Sequence, residues 1–369
     1  MFTLGSLYLQ DSEKAKFKTY RETRKLWGIL HAQYAEYLKF EPTEITTDAG
    51  PELVGKLSEV VGIGLGMAAM VAEFNVNLNR FNKFMAPGWG YKRVDFEYYA
   101  GSQRFFHETK GTTGEQTATA MRYDIDQKKS DSLAYVAGKQ QTGSTAQPVG
   151  ISGSTGSIAL YRKISNKEPL TRIILVDPPA ADVENARPGS EADELACVLR
   201  YYRNFYKVTH PAMENLPGPS IAKWLDEVAS GLSLGQSAPR AAPLNLQVRP
   251  HMGVPDRPDL AYQGTVFDAR ITWRNVAKSP SLEAATAKIH HPVTFLGVSK
   301  AVTELIISCN WKDLLSFHDR GEITNEVEGL DISGSGIMSM RLEPESFNEE
   351  SKKAFLSMKK VLERQHNRR

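Results

Sequence analysis

The sequence predicts a mixed α/β fold in which helices flank a central mixed sheet. Three observations indicate this class. An apolar helix is expected over 52–74, two short segments at 92–99 and 103–110 alternate as strands do, and a polar helical segment follows at 115–137. A helix that is apolar on most of its sides is normally buried, so we expect the first helix to pack against the sheet.

The chain before this apolar helix is expected to be helical as well. Residues 11–40 alternate basic and aromatic positions without a proline or another helix-breaking cluster, and they predict one or two helices. Pro42 and the pair Gly50-Pro51 then interrupt the chain. We therefore assign 1–45 as an N-terminal helical segment.

The two alternating segments are joined by Gly101 and Ser102, which suit a two-residue type II′ turn. That turn places Asp95 directly across from Glu108, with Cβ atoms roughly 5 Å apart. Glu97 shares the strand face of Asp95, so a one-residue error in the turn would leave the choice between these two acids open. The predicted register favours Asp95 as the acid opposite Glu108, with Glu97 as the alternative.

The rest of the chain alternates between connections, helices and strands. We expect, in order, a flexible Gly/Ser/Thr/Gln loop at 138–156, strands at 157–163 and 171–176, an amphipathic helix at 191–207, a proline-rich connection around a short helix at 220–229, a further mixed unit within 262–342 and a basic helix at 349–369. These segments predict a core domain at 46–180 and a C-terminal mixed α/β region at 181–369, whose role the sequence does not indicate.

Asp95 and Glu108 point to a metal site. Two carboxylates directly opposite each other on a sheet repel unless something compensates their charge. A divalent cation such as Mg²⁺ or Mn²⁺ supplies that compensation, because hard cations take carboxylate oxygens as ligands. The carbonyl of Thr109 is a candidate further ligand. Lys110 shares the strand face of Glu108, so its ammonium can approach metal-bound water or a phosphate without being a ligand.

This hairpin pattern resembles the motif of a known superfamily. Asp95, followed by Glu108-Thr109-Lys110 and then Gly111, is similar to the active-site motif of the PD-(D/E)xK, or restriction-endonuclease-like, phosphodiesterases. Val94 stands where the proline of the motif's name would be. The resemblance implies a restriction-endonuclease-like core: a helix, three strands that lean antiparallel, a second helix and a further strand, in that order.

The resemblance also implies supporting residues on the two helices. An acid on the first helix supports the metal in many members, and Glu59 is the residue that we match to it. Some members carry a Gln or a Lys on the helix after the Glu-x-Lys strand, which here is matched by Gln127 or Lys128. Both positions remain open as candidates for contact with nucleic acid.

The function implied by the resemblance is that of a metal-dependent nuclease that hydrolyses phosphodiester bonds. We expect a DNA endonuclease of restriction or phage-defence type, with Mg²⁺ or Mn²⁺ as cofactor and with DNA as the substrate in preference to RNA. Lys92, Arg93 and Arg104 are expected to position the nucleic-acid backbone. The C-terminal region would then recognise the substrate, form a homodimer or bind a partner protein of a defence complex.

Two plainer interpretations stand beside this one. The first is a noncatalytic module of the same fold that binds nucleic acid or a partner protein. The second is a solvated hairpin face on which Lys110 forms a surface ion pair, a contact that contributes little stability. Phe106 on the same face argues against full exposure. His107 lies on the opposite face and is expected to be structural or a substrate contact.

Global properties of the chain decide little about its partners. The net charge is +2, from 45 basic and 43 acidic residues, so it neither requires nor excludes nucleic acid. Cys197 and Cys309 are far apart and have no metal-type spacing, which suits a reducing compartment. There is no apolar run of about 18 residues and no pattern of a secretion signal. We therefore expect a cytoplasmic protein without a membrane-spanning helix.

Overall fold

The computed structural model describes residues 37–41, 44–84, 94–141, 151–163, 171–176, 189–210, 217–248, 252–253, 261–267, 293–318 and 330–342. The chain forms two compact units. The first unit contains the described residues of Tyr34–Tyr201 and Val228–Ala238, and the second contains those of Tyr202–Glu227 and Pro239–Arg369. The predicted mixed α/β class is confirmed, since helices flank sheets that include a mixed one.

The first unit is built on a five-stranded sheet. In chain order, its strands and those of a small three-stranded sheet are β1 (Leu38–Glu41), β2 (Glu44–Thr47), β3 (Phe81–Lys83), β4 (Phe96–Ala100), β5 (Gln103–Thr112), β6 (Gly153–Leu160), β7 (Arg162–Lys163) and β8 (Arg172–Val176). The large sheet has the order β3-β4-β5-β6-β8, and the small one has the order β1-β2-β7. Within the large sheet β5 and β6 run parallel, while the other neighbouring pairs are antiparallel.

The helices are α1 (Pro51–Phe74), α2 (Glu115–Gln141), α3 (Glu191–Thr209), α4 (Ile221–Ser233), α5 (Lys300–Ile307) and α6 (Trp311–Ser316). The predicted helices at 52–74, 115–137, 191–207 and 220–229 are confirmed by α1 to α4. Helix α1 begins with Pro51 in its first turn, where the missing N–H costs nothing. It ends at Asn75, which adopts the left-handed conformation with φ of 51°.

Helix α1 lies directly on the central strands. A Cβ atom added at Gly62 would approach the backbone nitrogen of Gly111 in β5 to 2.6 Å, so the two backbones meet where neither residue has a side chain. The segment Leu53–Phe74 is long and apolar enough to cross a membrane by length and composition alone. Of its most apolar window, 56% is buried inside the protein, which is the packing of a core helix.

Helix α2 covers the other face of the sheet. On β6, the side chain of Ser157 lies at Gly66 of α1, whereas Gly156 lies against Ile125 of α2. Neighbouring residues of a strand point to opposite faces, so the two helices sandwich the sheet. Ala118 and Ile125 of α2 form a buried cluster with Ile158 and Leu160 of β6.

Two expectations from the sequence are corrected by the structure. Residues 38–41, predicted to be helical, form β1, which pairs with β2. The β-branched residues at 45–47 favour a strand, and Pro42 disfavours continuation of a helix into this hairpin. The remainder of the predicted segment 11–40, up to residue 36, lies outside the described residues.

The second correction concerns the predicted loop at 138–156. Helix α2 continues to Gln141, and β6 already begins at Gly153. The glycine- and serine-rich start of β6 pairs with β5 from Phe105 onward, because small residues fit between the two helices. The predicted strand at 157–163 is in fact the end of β6 followed by β7, whereas the predicted strand at 171–176 is confirmed as β8.

The second unit contains an antiparallel sheet. Its strands are β9 (Met252–Gly253), β10 (Tyr262–Phe267), β11 (Val293–Ser299), β12 (Leu330–Ile332) and β13 (Ile337–Leu342), in the order β12-β13-β11-β10-β9. Helix α5 follows β11 without a connecting loop and packs against it. The predicted basic helix at 349–369 lies outside the described residues.

Candidate active site

The hairpin β4–β5 has the register that the sequence predicts. Phe96 pairs with His107 and Ala100 with Gln103, across a turn in which Gly101 has φ of 62°. Asp95 immediately precedes β4 and therefore lies across from Glu108. Its backbone N–H donates to Oε2 of Glu108 at 2.9 Å. The turn and the pairing of the two acidic residues are thus confirmed.

The carboxylate of Asp95 is held by the neighbour of Glu108. Oδ2 of Asp95 accepts hydrogen bonds from the Thr109 hydroxyl at 2.9 Å and from the Thr109 backbone N–H at 3.2 Å. Two donors on one oxygen fix the orientation of this carboxylate, and Asp95 remains partly exposed. The side chain of Thr109, which the sequence suggested only through its carbonyl, therefore positions Asp95.

Glu108 is the centre of the site. Its side chain is fully buried, yet two ammonium groups bind the same oxygen, Oε1: Lys128 of α2 at 2.6 Å and Lys110 of β5 at 2.9 Å. Lys110 also contacts Oδ2 of Asp124 in α2, at 2.6 Å. Strand β5 and helix α2 therefore bring a buried carboxylate, a second carboxylate and two lysines together.

The electrostatics of Glu108 reflect its burial. Loss of solvation and the negative charge of Asp95 raise the pKa of Glu108 to about 7, although Lys128 and Lys110 act in the opposite direction. Burial alone would lower the pKa of Lys110, but Glu108 and Asp124 outweigh it and raise that pKa above its ordinary value. Lys110 therefore remains a cation at neutral pH, and Glu108 can exchange a proton there.

A third lysine borders the site from the edge of the sheet. Lys83 of β3 pairs with Phe96 in β4, and the next backbone N–H, that of Phe84, donates to the carbonyl of Asp95 at 2.9 Å. Burial lowers the pKa of Lys83, while the negative charges of Asp95 and Glu59 oppose that change. Lys83 thus lies close enough to Asp95 and Glu59 for their negative charges to affect its pKa.

His107 belongs to the opposite face of the sheet. Its ring is fully buried, and its nitrogens hydrogen-bond to the hydroxyls of Thr155 at 2.8 Å and Ser157 at 3.1 Å. Burial lowers the pKa of His107 to about 4, so the imidazole is neutral. Of the two roles expected for this residue, the structure supports the structural one, because a fully buried ring cannot contact a substrate.

The structure separates Arg104 and Glu97 from the site. Nε of Arg104 donates to Oε2 of Glu97 at 2.9 Å, and the guanidinium packs over the rings of Phe84 and Phe106. Only 12% of the Arg104 side chain is exposed. Arg104 was expected to contact phosphate, but in the structure its guanidinium forms an ion pair with the carboxylate of Glu97. Asp95 thus remains the acid that faces Glu108.

The other expected residues lie at various distances from this centre. Glu59 is on α1, as predicted, but its side chain is 54% exposed and pairs with Lys56 at 3.6 Å. Gln127 is exposed and donates to Asp131 on its own helix, at 2.9 Å. Of the two candidates on α2, the structure therefore brings Lys128 to the motif. Lys92 and Arg93 lie outside the described residues.

Sequence reasoning missed Asp124 and Lys83. Asp124 precedes Lys128 by four residues, so both lie on one side of α2, next to the inward-facing Ile125. The position of Asp124 around the helix, next to an inward-facing residue, could therefore have predicted that it lies near the site. Lys83 gives a weaker signal, since β3 has only three residues and too short a pattern to reveal which way its side chains point.

Asp95 and Glu108 are the residues here that could hold a divalent cation. Mg²⁺ is often bound through one or two carboxylates, with waters and substrate phosphates completing its shell. Within the described ranges, no three His, Cys, Asp or Glu side chains are grouped so as to hold a metal ion. The donor set of two carboxylates fits a cation that retains water in its coordination shell.

Comparison of the chain with protein-family models, with curated proteins and with solved structures found no match.

Proposed function

We propose that this protein is a metal-dependent phosphodiesterase that cuts DNA, with its active site at Asp95, Glu108, Lys110 and Lys128. One observation carries the proposal: the fully buried Glu108 holds two lysines on a single oxygen and lies across from a second carboxylate. These residues include the acid pair and the lysine that the sequence motif singles out.

A purely structural role accounts poorly for this cluster. Moving charges out of water is costly, and well-packed apolar residues of similar size are often at least as stabilising as a buried ion pair. The raised pKa of Glu108 adds to the cost of keeping it ionised. Strongly perturbed groups that meet several charged partners are more typical of functional sites than of a structural core.

The acid pair suits a divalent cation, and Asp95 and Glu108 are the residues that would hold it. When bound, such a cation lowers the pKa of a coordinated water and polarises a phosphoryl oxygen. Thr109 holds Asp95 in place for this purpose through two hydrogen bonds. Glu59 is exposed, so we assign it at most an indirect effect through the charge of Lys83.

The lysines neutralise the phosphodiester. The raised pKa of Lys110 keeps it protonated, which suits stabilisation of negative charge on the phosphate and does not suit proton abstraction. Asp124 orients Lys110 from α2. Lys128 offers a second ammonium from the same helix. Together these residues would bind and orient the phosphate next to the acid pair.

The order of the described elements also supports the proposal. Helix α1, strands β3 to β5, helix α2 and strand β6 follow one another as the PD-(D/E)xK resemblance implies. On that resemblance we propose a restriction-endonuclease-like core, a role in restriction or phage defence, and DNA in preference to RNA as the substrate. A homodimer or a partner protein of a defence complex belongs to the same proposal.

The test is cleavage of supercoiled plasmid and of single-stranded DNA with Mg²⁺ or Mn²⁺. Wild type should cut in a metal-dependent way, and Lys110→Ala should not. Lys223→Ala is the matched control, since Lys223 is exposed and pairs only loosely with Glu227 at 3.7 Å. Equal cutting by wild type and Lys110→Ala would contradict the assigned site. Absence of cutting by wild type would favour the noncatalytic module.

A further inference from the structure

Glu108 uses one oxygen to bind the two lysines that the proposed reaction needs. Lys128 and Lys110 approach Oε1 at 2.6 and 2.9 Å, and Oε2 accepts the backbone N–H of Asp95. Both oxygens of this buried carboxylate therefore accept hydrogen bonds from other groups of the protein. A cation that binds Oε1 of Glu108 would compete with both ammonium groups for that oxygen.

Displaced ammonium groups need another anion. The side chains of Lys110 and Lys128 are 18% and 19% exposed, so both are largely removed from solvent. Asp124 already contacts Lys110 through Oδ2, at 2.6 Å. A phosphate next to the acid pair is an anion with several acceptor oxygens, and it could accept hydrogen bonds from both lysines at once.

We propose that Glu108 is an exchange point, which holds Lys110 and Lys128 in the cation-free protein and releases both to a phosphodiester when a divalent cation binds. This inference rests on the proposed function and adds to it a coupling between cation and nucleic acid. Because such coupling is reciprocal, DNA must tighten the binding of the cation by the same factor as the cation tightens the binding of DNA.

The inference makes an unusual prediction for Glu108→Gln. This variant removes the charge that retains the lysines, so it should bind DNA tightly in EDTA, without any cation. Each lysine released to a phosphate should steepen the dependence of log affinity on log salt concentration by about 0.9. We therefore expect the slope of log affinity against log salt concentration to be steeper in Glu108→Gln than in wild type, by nearly two. The triple variant that adds Lys110→Ala and Lys128→Ala to Glu108→Gln should lose this increase.

A matched control separates this effect from a general change in charge. Asp126→Asn removes the same charge from an exposed position on α2, two residues from Asp124. It should leave both the affinity and the salt slope close to those of wild type. An equal gain in Asp126→Asn and Glu108→Gln would show that only the net charge matters, and would overturn the exchange.

The wild-type protein provides a test that does not depend on any variant folding. Binding of a fluorescently labelled DNA duplex is measured by anisotropy in EDTA and in Ca²⁺, a hard cation that takes the same oxygen ligands. We expect binding to tighten by about tenfold or more in Ca²⁺, within the usual range of coupling between two sites. General screening by Ca²⁺ would weaken binding, so the two effects have opposite signs.

The outcomes distinguish the exchange from the proposed function. Equal or weaker binding in Ca²⁺, with metal-dependent plasmid cleavage intact, would overturn the exchange and leave the nuclease standing. No binding of DNA in either condition, together with no cleavage, would overturn both. Tighter binding in Ca²⁺ that Asp95→Asn abolishes would support the exchange, because that variant lacks one of the two carboxylates proposed to hold the cation.

Discussion

The substitution Glu108→Gln also tests the electrostatics of the folded site, without DNA or metal. In the folded protein the pKa of Glu108 rises from its ordinary 4.5 to about 7. A carboxyl group with a raised folded-state pKa binds its proton more tightly in the folded state than in the unfolded one. Stability therefore falls as pH rises between the two pKa values. The Gln variant keeps the shape of the side chain but cannot titrate.

The magnitude follows from the two pKa values. Linkage gives a loss of about 2 to 3 kcal/mol in the wild-type free energy of unfolding between pH 5 and pH 8, relative to Glu108→Gln. Urea denaturation in EDTA, followed by circular dichroism across this pH range, measures the difference between the two proteins. His107 is present in both, so its own titration cancels.

The control for this experiment is again Asp126→Asn, because it removes an exposed carboxylate from the neighbouring helix α2. Its difference from wild type measures how much of the effect comes from removing a negative charge near the site. A constant difference between Glu108→Gln and wild type would refute the reasoning. Such a constant difference would show that the two lysines on Oε1 outweigh burial and hold Glu108 ionised across the whole pH range.

Three further predictions concern the same unit of the protein. Mg²⁺ at one hundred times its dissociation constant should stabilise wild type by about 2.7 kcal/mol, and Asp95→Asn should abolish that gain in thermal melts. Lys128→Ala should slow DNA cleavage by about a hundredfold or more, whereas Gln127→Ala should cut normally, since the side chain of Gln127 points to Asp131 instead of Glu108. Arg104→Ala should destabilise the fold by about 3 kcal/mol, because it leaves the buried carboxylate of Glu97 without its partner. A normal melting curve for this variant, together with weaker DNA binding, would instead support a contact between Arg104 and phosphate.

The hairpin could be predicted from sequence because local rules determine it. Gly101 in a two-residue turn fixes which residues pair, and the period of two along each strand fixes which side chains share a face. Asp95 and Glu108 therefore came out opposite each other without any knowledge of the rest of the fold. The burial of Glu108 could not be predicted in this way, since it depends on the packing of α2.

Contacts made by α2 were harder to predict, because that helix is polar along much of its length. Gln127 and Lys128 are neighbours in sequence, but their side chains point about 100° apart around the helix axis. Only the buried Ile125 shows which side of α2 faces the sheet, and therefore which of the two residues can reach the site. Ile125 would likewise have revealed Asp124. The strand at 38–41 was missed for a different reason: its conformation depends on pairing with β2, which in turn pairs with β7, a strand distant in the sequence.

The balance of charge explains why the site would bind phosphate weakly until a divalent cation is bound. Among the described residues, the carboxylates of Asp95, Glu108 and Asp124 are matched by the ammonium groups of Lys83, Lys110 and Lys128. With Glu108 ionised this group is neutral, so it attracts an anion weakly. A divalent cation at the acid pair would give it a charge of about +2 in a partly buried setting, where charges are less screened than at the surface. The lysines that pair with Glu108 would then become the groups that hold the substrate, and the phosphates themselves would restore neutrality.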